Sequence, residues 1–442
     1  MRGLYVHIPF CVKKCSYCDF YSLPSRLDTM EAYVQAVLHE ANSFPLSQNR
    51  IKGDLQPPEK PSFQTLYIGG GTPSLLGAQK LQTLINGLSH FFVIPAQAVG
   101  TLGTKCTGSP TPNSPTRHCE PSEAISGLGG SPYYSVGSGF EPDRPNGSSP
   151  SLSLLESTIE LNPESATSEF LQMVKNLGFN RLSFGVQSLS DDELKSVGRI
   201  HTAAQAVSAI KLAPKLGFKA ISADLIIGLP GQTWASLRKS LETLVALGIQ
   251  HLSVYCLSLE ENTPLAKNPP ADLPSDDVQA KLFEETSKYL QTCGYAHYEI
   301  SNFAMNGYEC RHNLNYWRGG DYLGLGPAAA SHLDGKRFKN YANLDAYLAD
   351  STGQIEYIEE LSKKEKAAEE AMLRLRLLEE GLNTDELAGK FGENNVKSII
   401  SRLDEMVQAG SIENDGARYR LTPSRIMTSN PIFARVLADD GV

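Results

Sequence analysis

Three cysteines fall within eight positions near the start of the sequence, as Cys11-Val-Lys-Lys-Cys15-Ser-Tyr-Cys18. Thiolates are soft ligands that suit iron–sulfur clusters and zinc. In one loop directly after a predicted strand, three of them can close around a single cubane. A [4Fe–4S] cluster has four irons, so three protein ligands leave one iron open to another molecule. Structural zinc is the competing reading, but it takes four ligands, usually in paired C-x₂₋₄-C groups, and no second pair follows downstream.

A second signal is Tyr67-Ile-Gly69-Gly70-Gly71-Thr72-Pro73, where a predicted strand ends in three glycines. Without Cβ atoms the backbone can come close to a ligand, although a glycine run after a strand is often only a turn. The G-x-x-x-x-G-K spacing of a phosphate loop is absent, which argues against a nucleoside triphosphate. Polar residues also sit near the carboxyl ends of later predicted strands, the face where barrel enzymes assemble their sites. These are Glu160, Gln187, Arg199 and Asp224. Each alone could be a strand cap or a surface residue. Asp224 lies inside the apolar run Ala223-Asp-Leu-Ile-Ile-Gly-Leu-Pro230, where an unpaired carboxylate is costly.

The elements that must position these residues alternate. Short β-rich runs at Leu4–Ile8, Thr65–Gly69, Ser157–Glu160, Arg181–Gly185, Ser222–Ile227 and His251–Leu257 are each followed by an apolar-periodic segment. Those segments, Met30–Ser43, Ala78–Phe91, Ser168–Leu177, Thr202–Leu216 and Thr233–Leu247, are long enough to cross back over a parallel sheet. The expected fold class is α/β, a partial (β/α)₆ TIM-like barrel over residues 1–340. Past residue 340 the pattern changes to helices at Ser362–Glu380, Thr384–Phe391 and Val396–Ala409, then strands Ile412–Asn414 and Arg418–Leu421 around Asp415-Gly416. Residues 341–442 are therefore expected to form a C-terminal α+β winged-helix-like domain. Seven acidic against six basic residues from Asn383 to Arg425 disfavour DNA as its partner.

One stretch breaks the rhythm. Of the 53 residues from Thr101 to Ser153, 32 are Gly, Ser, Pro or Thr, so residues 96–153 read as a disordered insertion carrying Cys106 and Cys119 as incidental thiols. The chain of 442 residues is long enough for a large core, and its net charge of −9 argues against general affinity for nucleic acid or anionic lipid. No apolar run approaches the roughly 18 residues of a membrane span. Together with cysteines that suit a reducing compartment, this points to the cytoplasm.

The C-x₃-C-x₂-C spacing, with Tyr17 as its aromatic, resembles the signature of the radical S-adenosylmethionine superfamily, and Gly69-Gly70-Gly71 resembles that superfamily's GGE-like motif. The resemblance implies that the open iron chelates the methionine amino and carboxylate groups of S-adenosylmethionine, and that one electron cleaves the sulfonium to a 5′-deoxyadenosyl radical. The order YVHIPFCVKKCSYCDF, YIGGGTPSLL, IELNPE, RLSFGVQS, VGRIHT, DLIIGLPGQT and HNLNYW is similar to the oxygen-independent coproporphyrinogen III oxidase family, especially its heme-chaperone branch. Carried over by position, it implicates Tyr5, Gly70, Gly71, Thr72, Glu160, Gln187, Arg199 and Asp224 in holding S-adenosylmethionine.

Two oxidase features are missing. The oxidase pattern continues to a fourth cysteine where this chain has Phe20, and the oxidase has an extension before a first strand that here begins almost at Met1. The chaperone branch is marked by Cys310-Arg-His312-Asn313-Leu-Asn-Tyr316-Trp317. A histidine can ligate heme iron and an aromatic pair can pack on a porphyrin face, though the same residues could simply hold the segment against the barrel. His312 ranks above Cys310 as a heme ligand. The resemblance thus implies a heme chaperone that delivers heme to respiratory enzymes at the membrane, with cluster-dependent homodimerisation. Radical decarboxylation of coproporphyrinogen III is the alternative.

Overall fold

The computed structural model describes residues 1–24, 26–52, 61–92, 154–353, 355–416 and 418–438. The expected disordered insertion at 96–153, with Cys106 and Cys119, lies outside the described residues.

All six expected strands form, as Arg2–Ile8, Thr65–Gly70, Glu156–Leu161, Arg181–Gln187, Ala220–Ile227 and His251–Cys256, and they pair in parallel in that order. Their apolar positions are almost wholly buried, from Leu4, Val6 and Ile8 through Ile159, Leu182 and Phe184 to Leu225, Ile227 and Val254. Near-continuous burial is what a parallel sheet covered by crossover helices requires.

The crossover helices begin where threonines cap them. Thr202 and Thr233 form capping boxes with Gln205 and Ser236 at the starts of Ala203–Lys215 and Trp234–Ala246, and Thr167 accepts from the Phe170 amide ahead of Ser168–Asn176. Each such cap is worth about 1 kcal/mol.

Two features depart from the sequence reading. A seventh parallel strand, Asp321–Leu325, pairs with the outer edge of the first. Beyond it the sheet continues antiparallel through Ala330–Leu333, Lys336–Asn340 and Ile355–Glu360, so the large sheet runs past residue 340. At the other end Asn302–Ala304 adds antiparallel to His251–Cys256, followed by Ala296–Glu299.

The helix expected at Ser362–Glu380 covers only Lys363–Arg374. Its continuation is diverted because Leu377 bridges Glu299 and the Leu378 amide donates to the Tyr298 carbonyl at 3.0 Å. A sheet edge takes the backbone groups that another helical turn would have used. Helices Thr384–Phe391 and Glu393–Gln408 and the hairpin Ile412–Asn414 with Tyr419–Leu421 complete a second hydrophobic core around Leu387, Ile399, Leu403 and Ile412.

Candidate functional site

The cysteine loop leaves the first strand at its carboxyl end and is pinned from both sides. The Ser16 amide donates to the Val197 carbonyl at 3.1 Å, and the Leu265 amide to the Ser16 carbonyl at 2.9 Å. Tyr17 packs on a small apolar cluster of Val197, Ile226, Leu229, Leu257 and Leu265. Cys11, Cys15 and Cys18 are half-buried free thiols. The Cys18 thiol is pushed up by desolvation and by the nearby Cys15 and Cys11 sulfurs.

Neutral and cationic donors face the sulfurs. Thr72 Oγ1 donates to Cys11 Sγ at 3.7 Å, and Arg199 Nη1 to Cys15 Sγ at 3.6 Å. Arg199 Nη2 also donates to Asn162 Oδ1 at 2.8 Å and to the Gly185 carbonyl at 2.6 Å, while Asn162 Nδ2 donates to Thr72 Oγ1 at 2.9 Å. Burial opposes the Arg199 charge, but Tyr17 and Cys15 outweigh it and the guanidinium is held above its ordinary value.

Among the described residues no group of three His, Cys, Asp or Glu is gathered tightly enough to hold one metal ion. A cubane's corner irons lie apart, so its three ligands need not meet at a point. A loop of three thiols under a cationic donor, beside a glycine cradle, fits a [4Fe–4S] cluster with one iron facing a small molecule.

The cradle is sterically enforced. Gly70 has φ +104°, and a Cβ there would lie 2.6 Å from the His7 ring, while a Cβ on Gly71 would run into the Phe10 carbonyl. The Gly70 amide donates to Glu160 Oε2 at 2.9 Å, and Tyr67 donates to Glu160 Oε1 at 2.7 Å. Desolvation, with Asp224 adding its charge, lifts the Glu160 carboxyl to about 7 in spite of those bonds. Asp224 accepts from Ser183 at 3.4 Å and is raised to about 6, again chiefly by desolvation. Arg199 and Arg181 act on Asp224 but do not offset the desolvation, and two raised carboxyls in a buried recess suit a cationic or hydroxyl-rich ligand.

Gln187 sits where the register between its strand and the next shifts, and it takes φ +64°. A non-glycine residue in that region is strained.

A cavity of about 640 Å³ opens beside this cradle, within the range of small-molecule sites. Its lining joins Tyr5, His7, Gly70 and Glu160 to Tyr316 and to Tyr322, Ala328, Ala330 and Lys339 on the neighbouring strand and its extension, with Lys14, Asp19, Phe20 and Tyr21 also lining the space. Phe20 is 64 % exposed. Tyr5 bonds His7 Nδ1 at 3.0 Å, and His7 Nε2 bonds the Tyr21 carbonyl at 2.8 Å.

The Cys310–Trp317 segment forms a helix, Arg311–Trp317, at the opposite end of the strands from the cysteine loop. The Arg311 and His312 amides donate to Glu156 at 3.1 and 3.0 Å, and Glu156 pairs with the buried Arg181 at 3.5 Å. His312 is 1 % exposed. Its Nδ1 bonds Thr65 Oγ1 at 2.8 Å and its Nε2 bonds the Tyr316 hydroxyl at 2.7 Å. Burial lowers its imidazole to about 3. The His312 ring packs 5.3 Å from that of Tyr67, so Tyr67 and Glu160 stand between it and the Gly70 amide. Cys310 is buried against Glu156, whose Oε1 its thiol meets at 3.4 Å.

Of the sequence-selected residues, Tyr5, Gly70 and Glu160 line the cavity. Gly71, Thr72, Gln187, Arg199 and Asp224 build the surrounding frame. Asn162 and His7 were missed, although Asn162 lies in the same IELNPE stretch as Glu160. Nothing in the sequence marks Tyr322, Ala328, Ala330 and Lys339 as lining residues, which they become only because a seventh parallel strand pairs with the first and an antiparallel extension folds beyond it.

The fold and this site define a radical SAM protein. The radical SAM superfamily profile matches residues 139–244, a range beyond the cysteine loop, and the HemN C-terminal domain profile matches residues 361–425. The solved structure of coproporphyrinogen III oxidase (HemN) from Escherichia coli, described as a radical SAM enzyme, superposes with a TM-score of 0.72 at 20% identity, covering 99% of this chain and 89% of that one. At that identity the likeness speaks for the fold alone. Heme chaperone HemW of Escherichia coli is 30% identical over 442 residues, spanning 99% of this chain and 98% of the relative. Heme chaperone HemW of Lactococcus lactis is 29% identical over 443 residues, with 99% and 98% covered. The chain belongs to the HemW family.

Proposed function

We propose that this chain is a heme chaperone: a [4Fe–4S] cluster sits on Cys11, Cys15 and Cys18, S-adenosylmethionine occupies the glycine cradle, and heme is cargo in the adjoining cavity. The observation that carries the reading is the cavity beside the glycine cradle, whose lining joins Tyr5, His7, Gly70 and Glu160 of the cofactor motif to the aromatic Tyr316 and Tyr322 and the small Ala328 and Ala330. Tyr316 and Tyr322 can pack on a porphyrin face and the alanines leave room for it, while Lys339, paired with Glu356 at 3.0 Å, and Lys14, donating to the Phe20 carbonyl at 2.9 Å, would exchange those partners for its carboxylates.

The cluster with its cofactor supplies one-electron chemistry when bound. Around it, Arg199 neutralises charge on Cys15, Glu160 and Asp224 accept from ammonium or ribose hydroxyls, and Thr72 and Gln187 hold the frame. In this reading residues 1–340 carry the cofactors, and residues 341–442 serve packing and partner contacts. Heme passes from a cytoplasmic, homodimeric chaperone to respiratory enzymes at the membrane. Phe20 in place of a fourth cysteine favours transfer over decarboxylation.

Product analysis separates the two. The anaerobically reconstituted protein, given reductant, S-adenosylmethionine and coproporphyrinogen III, is expected to release no protoporphyrinogen; its accumulation over many turnovers would overturn the chaperone reading.

A further inference from the structure

The large sheet covers one of its two edges and leaves the other open. Outside Ala296–Glu299 the chain itself does the covering, with Leu377 bridging Glu299 and the Leu378 amide donating to the Tyr298 carbonyl at 3.0 Å. At the opposite edge, among the described residues, Ile355–Glu360 pairs on one side only, with Lys336–Asn340, and all six of its residues are exposed. Ile355, Tyr357 and Ile358 are 38, 44 and 65 % exposed. Such an edge presents a row of N–H and C=O groups, flanked by apolar side chains, to any strand that can pair with it.

Charge is the usual guard on an open edge, and here it is cancelled. Lys339 pairs with Glu356 at 3.0 Å, Lys336 with Glu360 at 3.2 Å and Arg337 with Glu359 at 3.8 Å, so each carboxylate of the strand is met by a cation from its neighbour. The edge also adjoins the cavity, since Lys339 lines that space while holding Glu356.

We propose that the Ile355–Glu360 edge is the surface on which a second copy of this chain docks, the two strands pairing antiparallel about a twofold axis that sets Tyr357 against its own copy. This interface rests on the homodimer of the functional reading above and says where its copies meet. A twofold antiparallel pair keeps each face of the sheet on the same side, so one residue faces its own copy and residues equally far from it face each other. Centred on any of the three glutamates, the pair would set a carboxylate against itself. Centred on Ile358 it would set Glu356 against Glu360, and like charges directly opposite are destabilising. Centred on Tyr357 it brings the two phenol rings together, with Ile358 facing Glu356 and Ile355 facing Glu359. No carboxylate then faces another, and the exposed apolar residues all lie within the pair.

The test is sedimentation equilibrium of the full-length, cluster-reconstituted protein over a dilution series, with hydrogen exchange read at the Ile355–Glu360 amides. Wild type is expected to dimerise, and those amides are expected to gain protection as the dimer forms. Ile358→Glu, at an exposed side chain, is expected to weaken the dimer about tenfold or more, because each dimer would hold the new Glu–Glu pair twice. Ile358→Lys, which meets Glu356 of the copy instead, is expected to dimerise more tightly than Ile358→Glu. A dimer that Ile358→Glu leaves unchanged, edge amides that gain no protection, or equal loss with Lys and Glu at 358 overturns this interface and leaves the homodimer standing. A wild type that is monomeric at every concentration overturns both.

Discussion

Gly70 shows how narrowly single residues are chosen here. Its φ of +104° and the His7 ring 2.6 Å from any Cβ leave room for no side chain. Gly70→Ala is expected to cost about 1–3 kcal/mol and to lower S-adenosylmethionine affinity, checked by urea unfolding and by calorimetric titration. Cys15 is equally constrained by Arg199 at 3.6 Å. Cys15→Ser is expected to reconstitute with less than half the iron of wild type, whereas Cys293→Ser, far along the chain in the turn after Asp276–Thr292, is expected to match wild type; iron analysis after anaerobic reconstitution decides it. The cysteines, the glycine run and Glu160 could be found in the sequence because their chemistry is local: ligand spacing and missing side chains are written in consecutive letters. His7 and Asn162 could not. Their places beside Gly70 and beside Thr72 and Arg199 come from distant segments, and an isolated histidine or asparagine has no pattern.

Elements were legible where a periodic face met a cap and illegible where a tertiary partner intervened. Thr202 and Thr233 cap the starts of the helices expected at Thr202–Leu216 and Thr233–Leu247, and Thr233→Ala is expected to destabilise the fold by about 1 kcal/mol, read from the urea midpoint. The Lys363–Arg374 helix stops early because the Ala296–Glu299 strand captures the backbone of Leu377 and Leu378, and Asp321–Leu325 is a short, glycine-containing run whose strand character comes from pairing with Arg2–Ile8.

Glu40, on the Met30–Lys52 helix, ties that helix to the sheet through the Gly326 amide, Asn340 and Tyr347. Desolvation raises its carboxyl from 4.5 to about 7 in spite of these bonds. The folded protein therefore holds a proton that the unfolded chain releases. Its contribution is fully present below about pH 4.5 and is lost as pH rises through 7, on the order of 3 kcal/mol at most. Glu40→Gln is expected to flatten the fall in urea midpoint between pH 5 and pH 7.5.

At the scale of the whole molecule, a barrel of parallel strands presents the cysteine loop at its carboxyl end and is plugged at the other by the Arg311–Trp317 helix. An antiparallel extension beyond the seventh strand adds Ala330 and Lys339 to the cavity lining. Arg376, stacked between Trp317 at 5.2 Å and Phe433 at 4.5 Å, joins the plug to the C-terminal helices. Among the described residues no helix is long and apolar enough to cross a membrane. The alternation of strand and helix made the barrel readable from sequence, but the cavity was not, since its walls come from segments hundreds of residues apart. The central claim is that this cavity holds heme. Hemin titration of wild type and Ala330→Trp, followed at the Soret band with cluster absorbance as the check on folding, tests it most directly. Saturation of wild type near one equivalent, and binding at least tenfold weaker once the indole fills the wall, is the predicted result; equal binding by both proteins would contradict it.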